Sequence, residues 1–253
     1  MRVQYFFSGR EGGVSTQPFR SLNIGTHVGD DPTSVARNRV TLAECAGLGV
    51  NNVVWMDQVH STKIVQVDAA GDVLVATDGA VTSAPGVGLA VMVADCVPIL
   101  AYDEQVGVIG VAHAGRQGAA AGIGPELLRC MVSAGSSVSG ISIVLGPAIC
   151  GRCYEVPASM RDLVDRALPG SACESAVGTA GLDLRAGLAR QFRALGVSGV
   201  VVDSCCTAED PAFFSHRRDA PTGRQAGLLW LELSAATHST AVTDEKIVNR
   251  LPH

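Results

Sequence analysis

Apolar residues fall along this chain in short, β-branched bursts more often than at helical spacing. Val3–Phe7, Val53–Met56, Lys63–Val67, Gly88–Ala94, Val97–Tyr102 and Val106–Ala112 read as strands. Ile141–Leu145, Val200–Asp203 and Leu228–Leu233 follow the same pattern. Helical spacing is rarer. Asp31-Pro32 sets a capping carboxylate before a first-turn proline, and Gly47 can end that helix. Asp183 predicts a second cap, with Leu184, Leu188, Phe192 and Leu195 on one face and Gly196 beyond them. Segments 117–134 and 157–168 complete the predicted helices. Ser133–Gly140 and Ser171–Gly181 read as surface loops. Strands come in twos and threes between helices without strict alternation, which predicts an α+β layout over a doubly wound parallel sheet. No repeat of fixed period breaks the chain, so residues 1–253 are expected to form a single domain.

Composition narrows the function classes. Only 17% of residues are charged and 47% are hydrophobic, against about 25% charged in an average soluble protein. Disorder is therefore excluded, and neither collagen, coiled-coil nor disulfide-miniprotein patterns occur. The formal net charge is -5 with no basic run, which argues against nucleic acid as a partner. No apolar stretch approaches the roughly 18 residues of a spanning helix. The opening MRVQYFFSGREGG lacks the layout of a signal peptide. A cytoplasmic protein without membrane partners is expected.

Eight cysteines are present, and reduced thiols are the default in such a chain. Cys150-Gly-Arg-Cys153 has CxxC spacing and Cys205-Cys206 are adjacent. A structural zinc needs two such pairs, or one with two nearby histidines, and the sequence pattern completes neither. Cys45, Cys130 and Cys173 read as small packed thiols.

Several common chemistries are absent. There is no G-x-x-x-x-G-K-[ST], and Gly122-Ile-Gly124 lacks the remainder of a dinucleotide fingerprint. Neither H-E-x-x-H nor G-x-S-x-G occurs. What remains is a constellation at strand ends. Cys96 follows the run ending at Asp95, His113 follows Val106–Ala112, and His60 stands in Gln58-Val-His60 between two strands. A sheet setting strands 88–94 and 106–112 side by side would bring Cys96 and His113 together. Two imidazoles and a thiolate suit Zn²⁺ or Cu, and three protein ligands leave a fourth position open. The same spacing also fits a Cys96 nucleophile with His113 as its base.

An ordered series of short motifs runs almost end to end. It comprises Gly12-Gly-Val-Ser15, Ser21-Leu-Asn-Ile-Gly25, Val28-Gly-Asp-Asp31, Asn38-Arg39, Gln58-Val-His60 and Asp78-Gly-Ala-Val-Thr82. It continues through Ala94-Asp-Cys-Val-Pro98, His113-Ala-Gly115, Gly146-Pro147, Tyr154-Glu-Val156, Cys206-Thr207, Phe213-Phe-Ser215 with Arg217, and Thr222-Gly-Arg224. In these stretches the chain resembles the YfiH family, formerly described as multicopper polyphenol oxidoreductases (laccases) and now as purine nucleoside phosphorylases. The resemblance implies a layered α/β/β/α sandwich and a zinc enzyme, with copper also reported. It implies phosphorolysis of adenosine, inosine, guanosine and methylthioadenosine, together with adenosine deamination. The family's His-Cys-His ligand set falls on His60, Cys96 and His113, so Cys96 and His113 would also be catalytic.

Further roles follow from position in or beside these motifs. Arg39, Arg116, Arg217 and Arg224 are candidates to hold phosphate, Asn23 and Gln58 to contact substrate, and Asp95 to orient a ligand histidine. Partners are thus purine nucleosides and phosphate, handled by a monomer or small homo-oligomer. Two departures stand out. The family's His-Ala-Gly-Trp-Arg-Gly is His113-Ala-Gly-Arg-Gln-Gly118 here, and the glycine usual after Gln-Val-His is Ser61. Two rivals accompany this reading. A copper polyphenol oxidase needs more histidine ligands than the six histidines present. A metal-binding accessory protein linked to cell-wall precursor quality needs no open ligand position.

Overall fold

The protein was studied as a computed structural model, which describes residues 1–232. In chain order the strands are β1 (Arg2–Phe7), β2 (Val53–Val54), β3 (Ile64–Gln66), β4 (Gly79–Thr82), β5 (Gly88–Val93) and β6 (Val97–Asp103). They continue as β7 (Val108–Ala114), β8 (Ser142–Leu145), β9 (Ala172–Glu174), β10 (Ala180–Leu182), β11 (Gly199–Val202) and β12 (Gln225–Glu232). The helices are α1 (Pro32–Cys45), α2 (Arg116–Ala121), α3 (Ile123–Ser133), α4 (Ala158–Ala167), α5 (Leu184–Ala194) and the short α6 (His216–Asp219).

Two sheets face each other. One has the order β1-β12-β5-β2 and the other β11-β8-β6-β7-β4-β3. Strand alternation explains the layering. On β5, Leu89, Val91 and Val93 join Leu100, Ile109 and Val111 between the sheets, while Ala90 and Met92 turn outward onto Leu42 and Ala43 of α1. On the six-stranded sheet, Val97, Ile99 and Ala101 face outward onto Ile123, Leu127 and Met131 of α3 and Leu188 and Phe192 of α5. Central strands buried on both faces have no polar alternation, which is why β5, β6 and β7 read as continuous apolar runs. Burying each such aliphatic side chain contributes about 1.5–3 kcal/mol. The result is an α/β/β/α sandwich of α+β class.

Local chemistry fixes the helices where the sequence puts them. Asp31 accepts from the Thr33 and Ser34 amides at 3.3 and 2.9 Å, and Asp183 accepts from Ala186 N–H at 3.0 Å. Four expectations change. The segment 117–134 is two helices, α2 and α3, broken at Gly122, whose φ of +96° lies in the left-handed region that glycine tolerates. The segment 171–181 contains the antiparallel β9–β10 hairpin. The last strand begins at Gln225, earlier than its aliphatic core suggests, and Leu233 lies outside the described residues. Finally, β7 runs to Ala114, so His113 is inside it.

That last change corrects how Cys96 and His113 meet. β5 and β7 belong to opposite sheets. The partner of β7 at this end is β6, with Val97 opposite Ala114 and Pro98 opposite His113. Asp95 and Cys96 form the short link by which the chain leaves β5 in one sheet and enters β6 in the other. Residues 57–63 make a second crossing, from β2 to β3. The two crossings bring His60 and Cys96 to the end of β7.

Candidate metal centre and its cavity

The donor atoms of His60, Cys96 and His113 all lie within 4.8 Å of one another, and the two imidazole centroids are 4.7 Å apart. His113 Nδ1 is 2.8 Å from Asp78 Oδ1. A fully buried carboxylate at that distance holds a proton on Nδ1, so Nε2 is the nitrogen a metal would take, the usual arrangement behind a metal-bound histidine. Burial disfavours the charged His113 ring, but Cys96 and Asp78 outweigh it and hold its pKa up at about 9, so a metal binding there would displace the Nε2 proton. Asp78 is correspondingly ionised. Burial alone would raise its pKa, yet the hydrogen bonds from His113 and Ser61 bring it to about 2. At His60 burial and then His113 lower the pKa, which favours the neutral, lone-pair-bearing ring.

Asp78 also shapes the loop that carries His60. It accepts the Val59, His60 and Ser61 amides at 3.2, 3.0 and 2.7 Å, and the Ser61 hydroxyl at 2.7 Å. His60 has a φ of 62°, a region that costs a non-glycine residue roughly 1–2 kcal/mol. The successive amides on one carboxylate offset that cost. Ser61 thus supplies two of the bonds to Asp78, and the one from its hydroxyl is a bond that a glycine could not make. Gly115 leaves the room the three donors need. A Cβ there would lie 2.3 Å from His60 Nδ1 and 3.1 Å from Cys96 Sγ. Donor chemistry, tautomer and this cradle together fit a borderline-soft divalent metal.

The trio borders a cavity of about 420 Å³, lined also by His27, Gln58, Met92, Asp95, Arg116, Ile149, Tyr154, Leu184, His216, Arg217 and Arg224, a size ordinary for small-molecule sites. Three of the four expected arginines therefore share one cavity. Arg116, displaced by one position from the family motif, still reaches it, while Gln117 is exposed. Arg217 is held by Glu155 O at 3.1 Å and stacks on Tyr154 with its guanidinium carbon 5.3 Å from the ring centre. Arg224 is fastened by the Thr222 and Gly223 carbonyls, both at 3.0 Å.

Other expected residues do different work. Arg39 stands outside the lining, bonded to Ile24 O at 3.0 Å with its guanidinium 4.1 Å from the Trp55 ring centre, and burial lowers its pKa to about 10. Asn23 is fully buried and spends its amide on Gly25 N, Arg224 N and Asp30, away from the lining. Gln58 lines the cavity, but both ends of its carboxamide pair with the Met92 backbone, at 2.7 and 2.8 Å. The orienting role expected of Asp95 falls to Asp78. The Asp95 carboxylate instead accepts from the Thr207 hydroxyl and the Arg217 amide, both at 2.6 Å, and so fastens the Arg217 segment. Sequence reasoning missed Asp78, His27, Tyr154 and His216 as site residues. Asp78 and Tyr154 each opened a recognised motif stretch, and His27 and His216 stand beside or within others, between Gly25 and Val28 and between Ser215 and Arg217.

Fold and site thus define a two-sheet sandwich protein with a three-donor metal corner at the edge of a small-molecule cavity. More particularly, the chain belongs to the family described as multi-copper polyphenol oxidoreductase laccase, whose model matches residues 4–232. It is 52% identical over 233 residues to a purine nucleoside phosphorylase of Mycobacterium tuberculosis strain H37Rv, covering 92% of this chain and 93% of that one. It is 47% identical to a purine nucleoside phosphorylase of Corynebacterium glutamicum, covering 92% and 96%. The crystal structure of YlmD from Geobacillus stearothermophilus superposes with a TM-score of 0.86 at 35% identity, over 91% of this chain and 92% of that chain. A hypothetical protein YfiH of Bacillus licheniformis gives 0.85 at 34%, covering 91% and 93%.

Proposed function

We propose that residues 1–253 form one catalytic domain, a zinc-dependent purine nucleoside phosphorylase acting on adenosine, inosine, guanosine and methylthioadenosine, with adenosine deaminase activity in the same cavity. It would work in the cytoplasm as a monomer or small homo-oligomer. The observation that carries this reading is the meeting of the His60–Cys96–His113 corner with three arginines around one cavity of about 420 Å³. The names of its relatives point the same way.

In phosphorolysis a phosphate oxygen bonds to the ribose C1′ while the bond from C1′ to the purine nitrogen breaks, and the electron pair leaves with the base. Arg116, Arg217 and Arg224 supply charge-assisted N–H donors for that phosphate. The backbone carbonyls that fasten Arg217 and Arg224 fix where those donors point. Met92, Val93, Ile149 and Leu184 give the base an apolar wall and exclude water. The departing base must gain a proton as it leaves. Burial raises the pKa of Tyr154, so its phenol keeps the O–H and offers a donor on that wall. His60, Cys96 and His113 would hold the metal, which when bound supplies Lewis acidity for phosphorolysis and deamination alike. Asp95 acts here through Arg217, as a positioning residue.

The test is a chromatographic assay of adenosine, inosine, guanosine and methylthioadenosine, with and without phosphate, on protein of known metal content. Free base that forms only with phosphate, and inosine that forms from adenosine without it, are expected. Metal-loaded protein that leaves adenosine unchanged in both conditions overturns the reading.

A further inference from the structure

A second group of soft donors lies away from the three-ligand corner. Cys150, Cys153, Cys206 and Glu209 each offer one donor atom, and all four atoms lie within 4.8 Å of one another. The CxxC pair, half a site in sequence terms, meets its other half here, in which the fourth donor is a carboxylate.

The backbone on both sides has the same form. Cys153 N–H and Tyr154 N–H both donate to Cys150 O at 3.0 Å, closing one hook. Glu209 N–H and Asp210 N–H donate to Cys206 O at 3.1 and 2.9 Å, closing the other. Each hook presents two donors three residues apart, the local spacing of ligand pairs in structural zinc sites. A parallel bridge from Ala148 to Cys206 sets the hooks face to face, and Cys150 N–H donates to Cys206 Sγ at 3.3 Å. Cys153 Sγ approaches Glu209 Oε1 at 3.3 Å. All three cysteines are free thiols here. Thiolates around a tetrahedral zinc, with Zn–S near 2.3 Å, stand roughly 3.8 Å apart, a spacing compatible with donors that all lie within 4.8 Å of one another.

We propose that Cys150, Cys153, Cys206 and Glu209 form a second, structural site for a soft or borderline divalent metal, zinc by its donor chemistry. Four protein donors close the coordination sphere, so the site has no open position for catalysis. Its effect is on the cavity wall. Ile149 and Tyr154 flank the first hook and line the cavity. Thr207, inside the second hook, donates to Asp95 at 2.6 Å. A metal here ties those two wall segments together.

The experiment is elemental analysis of full-length protein purified under reducing, chelator-free conditions, with cobalt substitution as a second readout. Wild-type protein is expected to hold two metals per chain. Cys96→Ser, Cys153→Ser and Glu209→Gln, Cys96→Ser combined with Glu209→Gln, and Cys96→Ser combined with Cys153→Ser separate the sites. Cys96→Ser and Cys153→Ser each hold one, and their combination holds none. Glu209→Gln, at an exposed position chosen to spare the fold, weakens only the second metal, so the combination with Cys96→Ser loses cobalt at lower chelator concentration than Cys96→Ser alone. Cobalt in Cys96→Ser protein shows the near-ultraviolet charge-transfer intensity of several thiolates. A Cys96→Ser protein that retains no metal, or cobalt in it lacking thiolate bands, overturns the assignment.

Discussion

The two thiol-bearing corners of this molecule use similar donors for opposite ends. At the first, three donors come from distant parts of the chain, a buried carboxylate braces one of them, and the space beyond opens into the cavity. At the second, four donors come from two short hooks whose backbones close on themselves. An open three-donor set leaves a position for a reacting atom, whereas a closed four-donor set fastens chain. The difference therefore lies less in the cysteines than in what surrounds them. Asp78, Gly115 and the arginines surround one, whereas the hooks of the other close on their own backbone, with Cys173 packed beside Gly151.

Removing a donor from the open corner should have the largest effect. Cys96→Ala is expected to abolish phosphate-dependent base release and to remove one metal while leaving the second, as read by elemental analysis beside the nucleoside assay. Nearly as severe is Gly115→Ala. The backbone there, with φ -73° and ψ 170°, accepts alanine without strain, but the new methyl would sit 2.3 Å from His60 Nδ1. Melting temperature should stay close to wild type while activity and the first metal are lost. A melting temperature that collapses instead would show that Gly115 serves the fold.

Intermediate effects fall on the brace. Asp78→Asn should weaken the first metal by about 10–100-fold, the usual cost of losing such a partner, measured by chelator competition, with the second metal unaffected. An effect of similar size, but confined to one substrate, is expected at the phosphate donors. Arg224→Gln should raise the KM for phosphate about 10–100-fold, as the loss of a charged hydrogen bond implies, with little change in the KM for nucleoside. Arg39→Gln, outside the cavity lining, should leave the phosphate KM unchanged, and a phosphate defect there would redraw the site.

Much of the open corner was legible in sequence because its donors are chemically conspicuous and stand in or beside recognisable strands. Their route to one another was not. Alternation and apolarity mark β5, β6 and β7 alike, but they do not say which sheet each joins, so the neighbour of β7 was mistaken for β5 instead of β6. Asp78 escaped notice as a brace because nothing local distinguishes a carboxylate that will receive three amides and an imidazole from one that caps a turn. Asp95, beside Cys96 in sequence, drew the role that Asp78 has in space. The closed corner was half legible. Cys150 and Cys153 announce themselves, while Cys206 and Glu209 join them only through contacts 56 residues apart in the chain. The hairpin in 171–181 and the break at Gly122 were hidden for a simpler reason, since small residues carry little periodicity to read.

Under the proposed function the open corner and the arginines cleave the glycosidic bond with phosphate. Phosphorus NMR of wild-type protein given inosine and inorganic phosphate reads that reaction at its sugar product, because phosphorolysis and hydrolysis release the same base but different sugars. Ribose 1-phosphate should accumulate in step with hypoxanthine, and neither should form with Cys96→Ala protein. Hypoxanthine released with free ribose, or at an equal rate without phosphate, would contradict it.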